Sequence, residues 1–405
     1  MTDGCVSLKN CLVCNSEVTE IIDLGDQPLA NGFLDRVKVD FLQNYIYGEK
    51  TFPLKVNACP KCSHLQLSHA VDLPLMYETY LYRSGTTDTY RQYMEWFAKK
   101  ASSYFKDGCN NVLDIGCNDG TQLDIFKKLD VKTFGVDPAE NLYEYSSKNH
   151  TVIKDYFNEK IDFGTKFDAV VMQNSFAHQP NPQKFLQDIK KILNDDGLIF
   201  IQTSQADMVK NNEFDTIYHE HINFYCTQSM NTLVESVGMC VRDIIKNPIH
   251  GISYIFVISK NLKNKDVINQ YLQDEKQINS LENYRQWANK ILTVKKGYLD
   301  LLEQSKGTHL VGYGAAAKGN TFLNFVGKPL DFIIDDNTLK QGKFTPGQHI
   351  PIKSITSLEQ ISSDEPITFV PLAWNFFDEI KKRIKKVRTS TGDKFIRYFP
   401  KAELV

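Results

Sequence analysis

The stretch NVLDIGCNDG, residues 111–120, decides the fold expected of this chain. A short apolar strand ends at Asp114, a turn carries Gly116 and Gly120, and the helical stretch TQLDIFKKL follows. A strand, a glycine turn and a helix in this order bring a ligand close to the backbone amides at a helix N-terminus. The next strand, TFGVD, ends at Asp137, where an acid can accept hydrogen bonds from a ribose diol. The sequence therefore predicts a Rossmann-like α/β core that binds a nucleoside.

The residues of the turn favour S-adenosylmethionine over a dinucleotide. A dinucleotide site prefers a glycine where this chain has Asn118, because that glycine admits the pyrophosphate. The carboxylates of Asp114 and Asp119 suit a cationic ligand better than a phosphate. S-adenosylmethionine has a ribose, a sulfonium and an ammonium group, and it has no phosphate.

Later strands extend this core. They are DAVVMQN (168–174), GLIFIQT (197–203) and the pair VRDIIKN and GISYIFVISK, which reads as a closing antiparallel hairpin around PIH. Their number and the hairpin resemble the seven-stranded class I methyltransferase fold. The resemblance implies that DIGCNDG is the cofactor loop and that Asp137 is the ribose-binding acid. It also places Asp155 beside the adenine amino group and counts Gln173 among the cofactor-binding residues.

Two Cys-x-x-Cys pairs near the N-terminus predict a structural zinc site. Their members are Cys11, Cys14, Cys59 and Cys62. At this spacing a tight turn presents two thiolates to one tetrahedral zinc, and a closed shell of four thiolates leaves no position for catalysis. Redox motifs share the spacing but need a thioredoxin-like context, which is absent here. We expect His64 to lie on the surface.

Composition describes a soluble chain of several domains. The 405 residues are 42% hydrophobic and 24% charged, no apolar run approaches a membrane span, and the start MTDGCVSLKNC lacks a secretory pattern. We expect a cytoplasmic protein that does not bind membranes. A formal net charge of −2 without a basic stripe argues against nucleic acid as a partner. The predicted domains are a zinc-binding domain (1–72), a methyltransferase domain (73–260), and a helical connection with a C-terminal α/β domain (261–405).

The C-terminal domain contains a second glycine turn. HLVGYGAAAKGNTFLN again reads as a strand, a turn and a helix, with Gly314 in the turn and Lys318 at the helix start. Amide donors, a helix dipole and one cation suit a phosphate. A purely structural turn in a Rossmann-like unit remains the alternative.

The segment YHEHINFY (218–225) concentrates groups that can transfer protons. A zinc-protease helix needs His-Glu-x-x-His, but Asn223 stands where the second ligand should be, so that interpretation fails. A catalytic pocket and a half-buried segment with satisfied polar groups are the two remaining alternatives.

Taken together, these motifs resemble the sugar C-methyltransferases across almost the whole chain. The resemblance rests on the cysteine pairs with LGDQPLAN, on DIGCNDGT, YHEH and PIHG, and on GYGAAAKGNTFLN with DDNTLKQGKFTPGQHIPI. Members of this family methylate the carbon next to a ketone, commonly C3 of a 4-keto-deoxysugar carried on thymidine diphosphate. The resemblance thus implies an S-adenosylmethionine-dependent enzyme with structural zinc and a sugar-nucleotide substrate. We expect it to be a monomer.

The resemblance also assigns roles to individual residues. It implies that His221 is the leading base, that Tyr218 and Glu220 position the base or the sugar, and that His178 is the second proton-handling candidate. Tyr80 or Tyr82 matches an active-site tyrosine, although the family continues with Phe-Ser-Ser where this chain has Arg-Ser-Gly. The implied substrate-binding residues are Gly314, Lys318, Asn320 and His250. A sugar O-methyltransferase and a non-enzymatic sugar-nucleotide sensor are the alternative functions.

Overall fold

The computed structural model describes residues 4–44, 48–77, 83–106, 110–204, 207–249, 252–261 and 266–405. The chain forms two compact units. The first unit comprises Met1–Glu20, Asn57–Asp207 and Glu220–Leu281, and the second unit comprises Ile21–Val56, Met208–His219 and Glu282–Val405.

The strands of the described chain are β1 (Cys5–Ser7), β2 (Thr19–Gln27), β3 (Phe52–Ala58), β4 (Leu65–Leu67), β5 (His69–Val71), β6 (Asn111–Ile115), β7 (Lys132–Val136), β8 (Thr151–Ile153), β9 (Phe167–Gln173), β10 (Leu193–Thr203), β11 (Asn223–Phe224), β12 (Cys240–Asn247), β13 (Ser253–Ser259), β14 (His309–Tyr313), β15 (Phe332–Ile334), β16 (Ile352–Lys353), β17 (Ile367–Pro371), β18 (Lys394–Arg397) and β19 (Glu403–Leu404). The helices are α1 (Arg36–Asn44), α2 (Pro74–Tyr77), α3 (Asp88–Ser102), α4 (Thr121–Lys127), α5 (Glu140–Ser146), α6 (Pro182–Ile192), α7 (Met208–Asn211), α8 (Thr227–Ser236), α9 (Asp266–Glu275), α10 (Leu281–Gln304), α11 (Ala317–Val326) and α12 (Phe377–Val387).

A seven-stranded sheet forms the centre of the first unit. Its strand order is β12-β13-β10-β9-β6-β7-β8. Strands β8, β7, β6, β9 and β10 run parallel, whereas β13 pairs antiparallel with both β10 and β12. The central strands are continuous apolar runs because helices cover both faces of a parallel sheet. This order and the closing hairpin are those of a class I methyltransferase fold, which confirms the predicted core.

Two hydrophobic clusters pack on the central sheet. In one of them, Phe97 of α3 lies with Phe126 of α4 and Phe200 of β10. Helix α3 begins where the Thr87 side chain accepts from the Tyr90 amide, so its amphipathic sequence starts at a capped end. The other cluster joins residues such as Val170 of β9 to the cysteine pairs. The zinc-binding segment therefore shares a core with the sheet.

The second unit contains the C-terminal α/β layer. Its six-stranded sheet has the order β16-β15-β14-β17-β18-β19, and only β19 runs antiparallel to its neighbour. Helix α11 follows β14 directly after the turn at Gly314. The predicted second Rossmann-like domain is thus confirmed. Among the described residues, no helix has the length and apolar content that crossing a membrane requires.

Candidate active site

The predicted cofactor loop lies between β6 and α4. Gly116 has a φ of +84°, and a Cβ atom there would lie 2.8 Å from the Ser175 Cβ. Only glycine therefore allows this turn and its close approach to the segment after β9. The amides of Asn118 and Ala139 each donate to the Asp137 carboxylate, over 2.9 Å and 2.9 Å. These bonds place the predicted ribose acceptor directly against the loop.

A cavity of about 730 Å³ opens at the carboxyl ends of the parallel strands. Six of the predicted site residues line it, and they come from segments far apart in sequence: Gly116, Asn118, Asp137, Asp155, Gln173 and His178. Ligands of open α/β sheets bind at this edge, where loops from neighbouring strands meet. Asp114 and Gly120 were also predicted as site residues. Asp114 lies in β6 and Gly120 in the turn before α4, and neither lines the cavity.

The cavity wall suits a ligand that is cationic and rich in hydrogen-bond donors. Burial, together with the charge of Asp137, raises the pKa of Asp114 to about 8, and burial also raises the pKa of Asp137. A cation nearby would favour the ionised carboxylates. The side-chain oxygens of Gln173 and Asn174 are buried and accept no hydrogen bond from the described residues. The ammonium and amino groups of S-adenosylmethionine fit such acceptors.

The segment of residues 83–85 packs against the cofactor loop. The Ser84 amide donates to Asn118 Oδ1 over 2.9 Å, and the Gly85 amide donates to Asp119 Oδ2 over 3.1 Å. The Arg83 guanidinium lies 3.7 Å from the same carboxylate. The Arg-Ser-Gly sequence therefore supports the cofactor loop. The predictions for Tyr80 and Tyr82 lie outside the described residues.

Both predicted histidines lie in one stack of rings. The His178 ring lies 5.4 Å from the Tyr77 ring and 5.5 Å from the His221 ring, and each pair is inclined by 21°. Tyr77 and His178 line the cavity, whereas His221 is 5% exposed. Burial lowers the pKa of His178 to about 4, so this imidazole is neutral at pH 7 and only weakly basic.

The rest of YHEHINFY is mostly buried. Glu220 is 1% exposed, Tyr218 is half-buried, and the His219 Nε2 lies 3.2 Å from the Phe52 carbonyl. The amide of Asn223 donates to the Ala177 and Gln179 carbonyls. Asn223, which excluded the zinc-protease motif, therefore has a structural contact of its own with the His178 segment.

The four predicted zinc ligands form one cluster. Their sulfur atoms all lie within 4.8 Å of one another, with 3.6 Å between Cys11 and Cys62 and 3.4 Å between Cys14 and Cys59. Tetrahedral zinc with Zn–S bonds of about 2.3 Å separates its sulfurs by about 3.8 Å. Each pair ends in a left-handed residue, Asn15 or Ser63, directly after its second cysteine. The arrangement fits zinc.

Hydrogen bonding and burial shift the pKa values of these thiols. The hydrogen bond between Cys11 and Cys62 lowers the pKa of Cys11 to about 4 and raises that of Cys62, while burial raises the pKa of Cys59 to about 11. Without metal the buried cluster would thus carry few of the thiolates that zinc needs. The expectation that His64 lies on the surface is wrong: its ring is fully buried beside the cluster.

The glycine turn of the second unit repeats the arrangement of the cofactor loop. The Ala315 amide donates to Asp335 over 2.7 Å, as the Asn118 amide does to Asp137. Lys318 Nζ lies 3.9 Å from the buried Asp215 carboxylate. Asn320 is 1% exposed and donates to the Ala30 carbonyl. His250 lies outside the described residues.

Sequence reasoning missed several residues of the site. Tyr77 and Asn174 line the cavity, Asn223 contacts the His178 segment and His64 contacts Asn223, yet none was proposed as a site residue. Asn174 follows β9 directly, and its left-handed φ of +59° is typical of asparagine in tight turns. That position at a strand end was the available signal. The contact between His64 and Asn223 joins residues 159 positions apart, and no local pattern indicates it.

Known families match the chain in three successive segments. Family models describe residues 11–77 as a zinc binding domain, residues 87–243 as a methyltransferase domain and residues 248–400 as a C-methyltransferase C-terminal domain. Together with the fold and the cavity, these matches define an S-adenosylmethionine-dependent class I methyltransferase with a structural zinc site. The three models and their order along the chain fit the sugar C-methyltransferase family that the motifs resemble.

The chain is also similar to individual methyltransferases. The C-methyltransferase NovU of Streptomyces niveus is 28% identical over 425 residues, which span 100% of this chain and 99% of that protein. A ubiquinone biosynthesis O-methyltransferase of Glaesserella parasuis serovar 5 (strain SH0165) is 29% identical, but over 25% of this chain and 50% of that protein. The solved plantazolicin methyltransferase BpumL in complex with SAH is 16% identical, covers 42% of this chain and 82% of that chain, and has a TM-score of 0.35. The last similarity adds nothing to the assignment.

Proposed function

We propose that this enzyme methylates C3 of a nucleotide-linked 4-keto-deoxysugar in branched-chain sugar biosynthesis. The observation that supports it most directly is the stack of His178 and His221 at the cavity that suits S-adenosylmethionine. A carbon acid next to a ketone needs a base at the methyl donor, and neutral imidazole is such a base near pH 7. The full-length similarity to a C-methyltransferase favours carbon over oxygen as the acceptor.

We propose a role for each residue of the site. Asp137 holds the ribose, and Gln173 and Asn174 accept from the donor groups of the cofactor, with Asp155 near the adenine. S-adenosylmethionine, when bound, supplies an electrophilic methyl group. His221 is the proposed base that takes the proton from C3, His178 is the second candidate, and Tyr218 and Glu220 position the base or the sugar. Loss of this proton leaves an enolate, whose C3 attacks the methyl group with release of S-adenosylhomocysteine. The imidazolium then returns its proton to solvent.

The sugar nucleotide gives the second unit its proposed role. Asp335 accepts a hydrogen bond from an amide of the Gly314 turn, as Asp137 does from an amide of the cofactor loop. This similarity supports a nucleoside site at the Gly314 turn. Lys318 is 25% exposed, so its ammonium can also reach a phosphate. We propose a thymidine diphosphate carrier, a monomeric enzyme and a cytoplasmic location.

A panel of keto-sugar nucleotides with methyl-labelled S-adenosylmethionine tests the function. We expect one TDP-linked 4-keto-deoxysugar to gain a single methyl by mass spectrometry, and NMR should place it on a quaternary carbon. A methoxy signal would instead identify a sugar O-methyltransferase. Binding of the sugar nucleotide without turnover and without S-adenosylmethionine binding would identify a sensor.

A further inference from the structure

The Asn223 side chain brackets His178. Its Nδ2 donates to the carbonyl of Gln179 over 2.7 Å and to that of Ala177 over 3.3 Å. These are the backbone carbonyls on either side of His178. Asn223 is 0% exposed, so water cannot replace these bonds. The amide therefore fixes the backbone that carries the cavity-lining imidazole.

His64 fixes the orientation of this amide. Its Nε2 lies 3.1 Å from Asn223 Oδ1, and both residues are 0% exposed. Because the two donors of Asn223 face carbonyls, its oxygen can only accept, and His64 must donate from Nε2. Flipping the amide would turn its oxygen toward two carbonyl oxygens. The hydrogen bond from His64 thus selects the orientation that holds His178.

The turn that carries Cys59 and Cys62 holds His64 in place. The Cys59 amide donates to the His64 carbonyl over 2.8 Å, and the Ser63 amide donates to the Cys59 carbonyl over 3.0 Å. Strand β4, which follows His64, pairs with β11 in the register Asn223 to Gln66. The turn and the strand pair therefore connect a zinc ligand to Asn223 through buried, hydrogen-bonded backbone.

A second connection runs through aromatic rings. The Tyr225 ring lies 5.0 Å from the His64 ring and 5.2 Å from the ring of Phe176, two residues before His178. Tyr225 and Phe176 are both 0% exposed. Packed rings of this kind resist displacement, so the His178 segment is held by hydrogen bonds and by packing.

We propose that Asn223 and His64 are positioning residues that couple the zinc turn to His178 in the active site. The zinc module then has a role in catalysis besides folding, although it contributes no ligand to the reaction. This inference rests on the proposed function insofar as His178 takes part in proton transfer. Replacing a residue that orients a functional group through a hydrogen bond typically changes activity by roughly 10- to 100-fold.

A matched pair of variants at His64 tests the proposal. His64→Leu removes the donor, whereas His64→Gln keeps an amide N–H at about the reach of Nε2. With a TDP-linked 4-keto-deoxysugar, His64→Leu should lower kcat about 10-fold or more, with KM and the Kd of S-adenosylhomocysteine within twofold of the wild type. His64→Gln should restore most of kcat. Zinc content by elemental analysis should be unchanged in both.

A control hydrogen bond separates positioning from stability. Gln183 Nε2 donates to the Val13 carbonyl over 2.7 Å and so joins α6 to the turn between Cys11 and Cys14. Gln183→Met should leave kcat unchanged. The proposal is overturned if His64→Leu keeps the wild-type kcat with zinc bound, or if Gln183→Met lowers kcat as much as His64→Leu does.

An NMR measurement separates this proposal from the proposed function. In protein labelled with ¹⁵N-histidine and saturated with S-adenosylhomocysteine, the His178 ring signals should shift or broaden in His64→Leu and return in His64→Gln. This readout needs no turnover. If the wild type makes no C-methyl product but the signals behave as expected, the proposed function fails and the positioning role stands. Unchanged His178 signals in a folded His64→Leu would refute the positioning role.

Discussion

The stacked imidazoles of His178 and His221 limit the charge that the site can hold. Two protonated rings 5.5 Å apart would repel each other. Burial lowers the pKa of His178 to about 4, which makes it a weak base at pH 7, so His221 stays the leading candidate for the base.

Deuterium exchange should identify the base. In heavy water with S-adenosylhomocysteine in place of the methyl donor, the wild type should exchange the C3 proton of the keto-sugar faster than buffer does. His221→Asn should bind both ligands yet lose this exchange, and its turnover should fall by roughly 10²- to 10⁴-fold, as expected when a general base is removed. Exchange at the wild-type rate would exclude His221, and His178→Asn would be the next variant to measure.

The buried His178 predicts a pH-dependent stability. Burial lowers its pKa from 6.5 to about 4. Between these pH values the unfolded chain therefore binds a proton at this residue, whereas the folded chain does not. This contribution to the free energy of unfolding is complete above pH 6.5 and is lost as the pH falls toward about 4, by at most about 1.4 kcal/mol per pH unit. Urea unfolding at pH 7 and pH 5 should show a smaller difference for His178→Asn than for the wild type. An equal difference would contradict this role.

Asp137 should be essential for cofactor affinity. Because it accepts amides from both Asn118 and Ala139 and faces the cavity, Asp137→Ala removes a ribose acceptor and loosens the loop. Calorimetry should show S-adenosylmethionine binding weakened by at least about 1.5 to 3 kcal/mol. Glu140→Gln, an exposed acid nearby, is the control and should bind normally. Unchanged affinity in Asp137→Ala would rule out the ribose role.

At the scale of the element, the turn at Ser84–Thr86 depends on a glycine. A Cβ on Gly85 would lie 2.2 Å from Thr121 Oγ1 and 3.0 Å from Asp119 Oδ2, at the start of α4. Gly85→Ala must therefore push the turn away from the cofactor loop. We expect a loss of about 1 to 3 kcal/mol in the free energy of unfolding, together with weaker binding of S-adenosylhomocysteine.

Thermal unfolding and calorimetry measure both effects. Gly48 offers a matched control, because a Cβ there meets no atom within 4 Å. Gly48→Ala should therefore leave stability and binding almost unchanged. Normal binding by Gly85→Ala would show that the turn does not support the cofactor loop.

At the scale of the molecule, the cysteine cluster is part of the core of the first unit. Cys11, Cys59 and Cys62 belong to the hydrophobic cluster that contains Val170 and Met172 of the central sheet. Loss of the metal should therefore disturb the methyltransferase core and not only a peripheral module.

The variant Cys59→Ser should test this dependence. We expect it to lose the zinc that elemental analysis finds at about one ion per wild-type chain, and to become poorly soluble. Cys5→Ser, outside the cluster, should keep both metal and solubility. Once the wild type is folded, added zinc should not change its rate, because four thiolates leave no open position. A metal-free protein that folds normally would disprove the zinc site.

Local patterns in the sequence were sufficient for the elements and for the zinc ligands. The apolar run before Asp114, the turn at Gly116 and the paired Cys-x-x-Cys spacing are each contained within a few residues, because strand, turn and thiolate geometry depend on near neighbours. The family resemblance, and not these local patterns, identified His178 and His221 as separate candidates.

Only the tertiary structure brought these candidates together. The stacking of His178 on His221, the bracket of Asn223 around His178 and the burial of His64 are contacts between segments far apart in sequence. The packing of a sheet edge, a zinc turn and a loop decides them, and no periodicity encodes such packing. For this reason the sequence predicted the chemical groups of the site, whereas the fold decided which of them touch and which pKa values change.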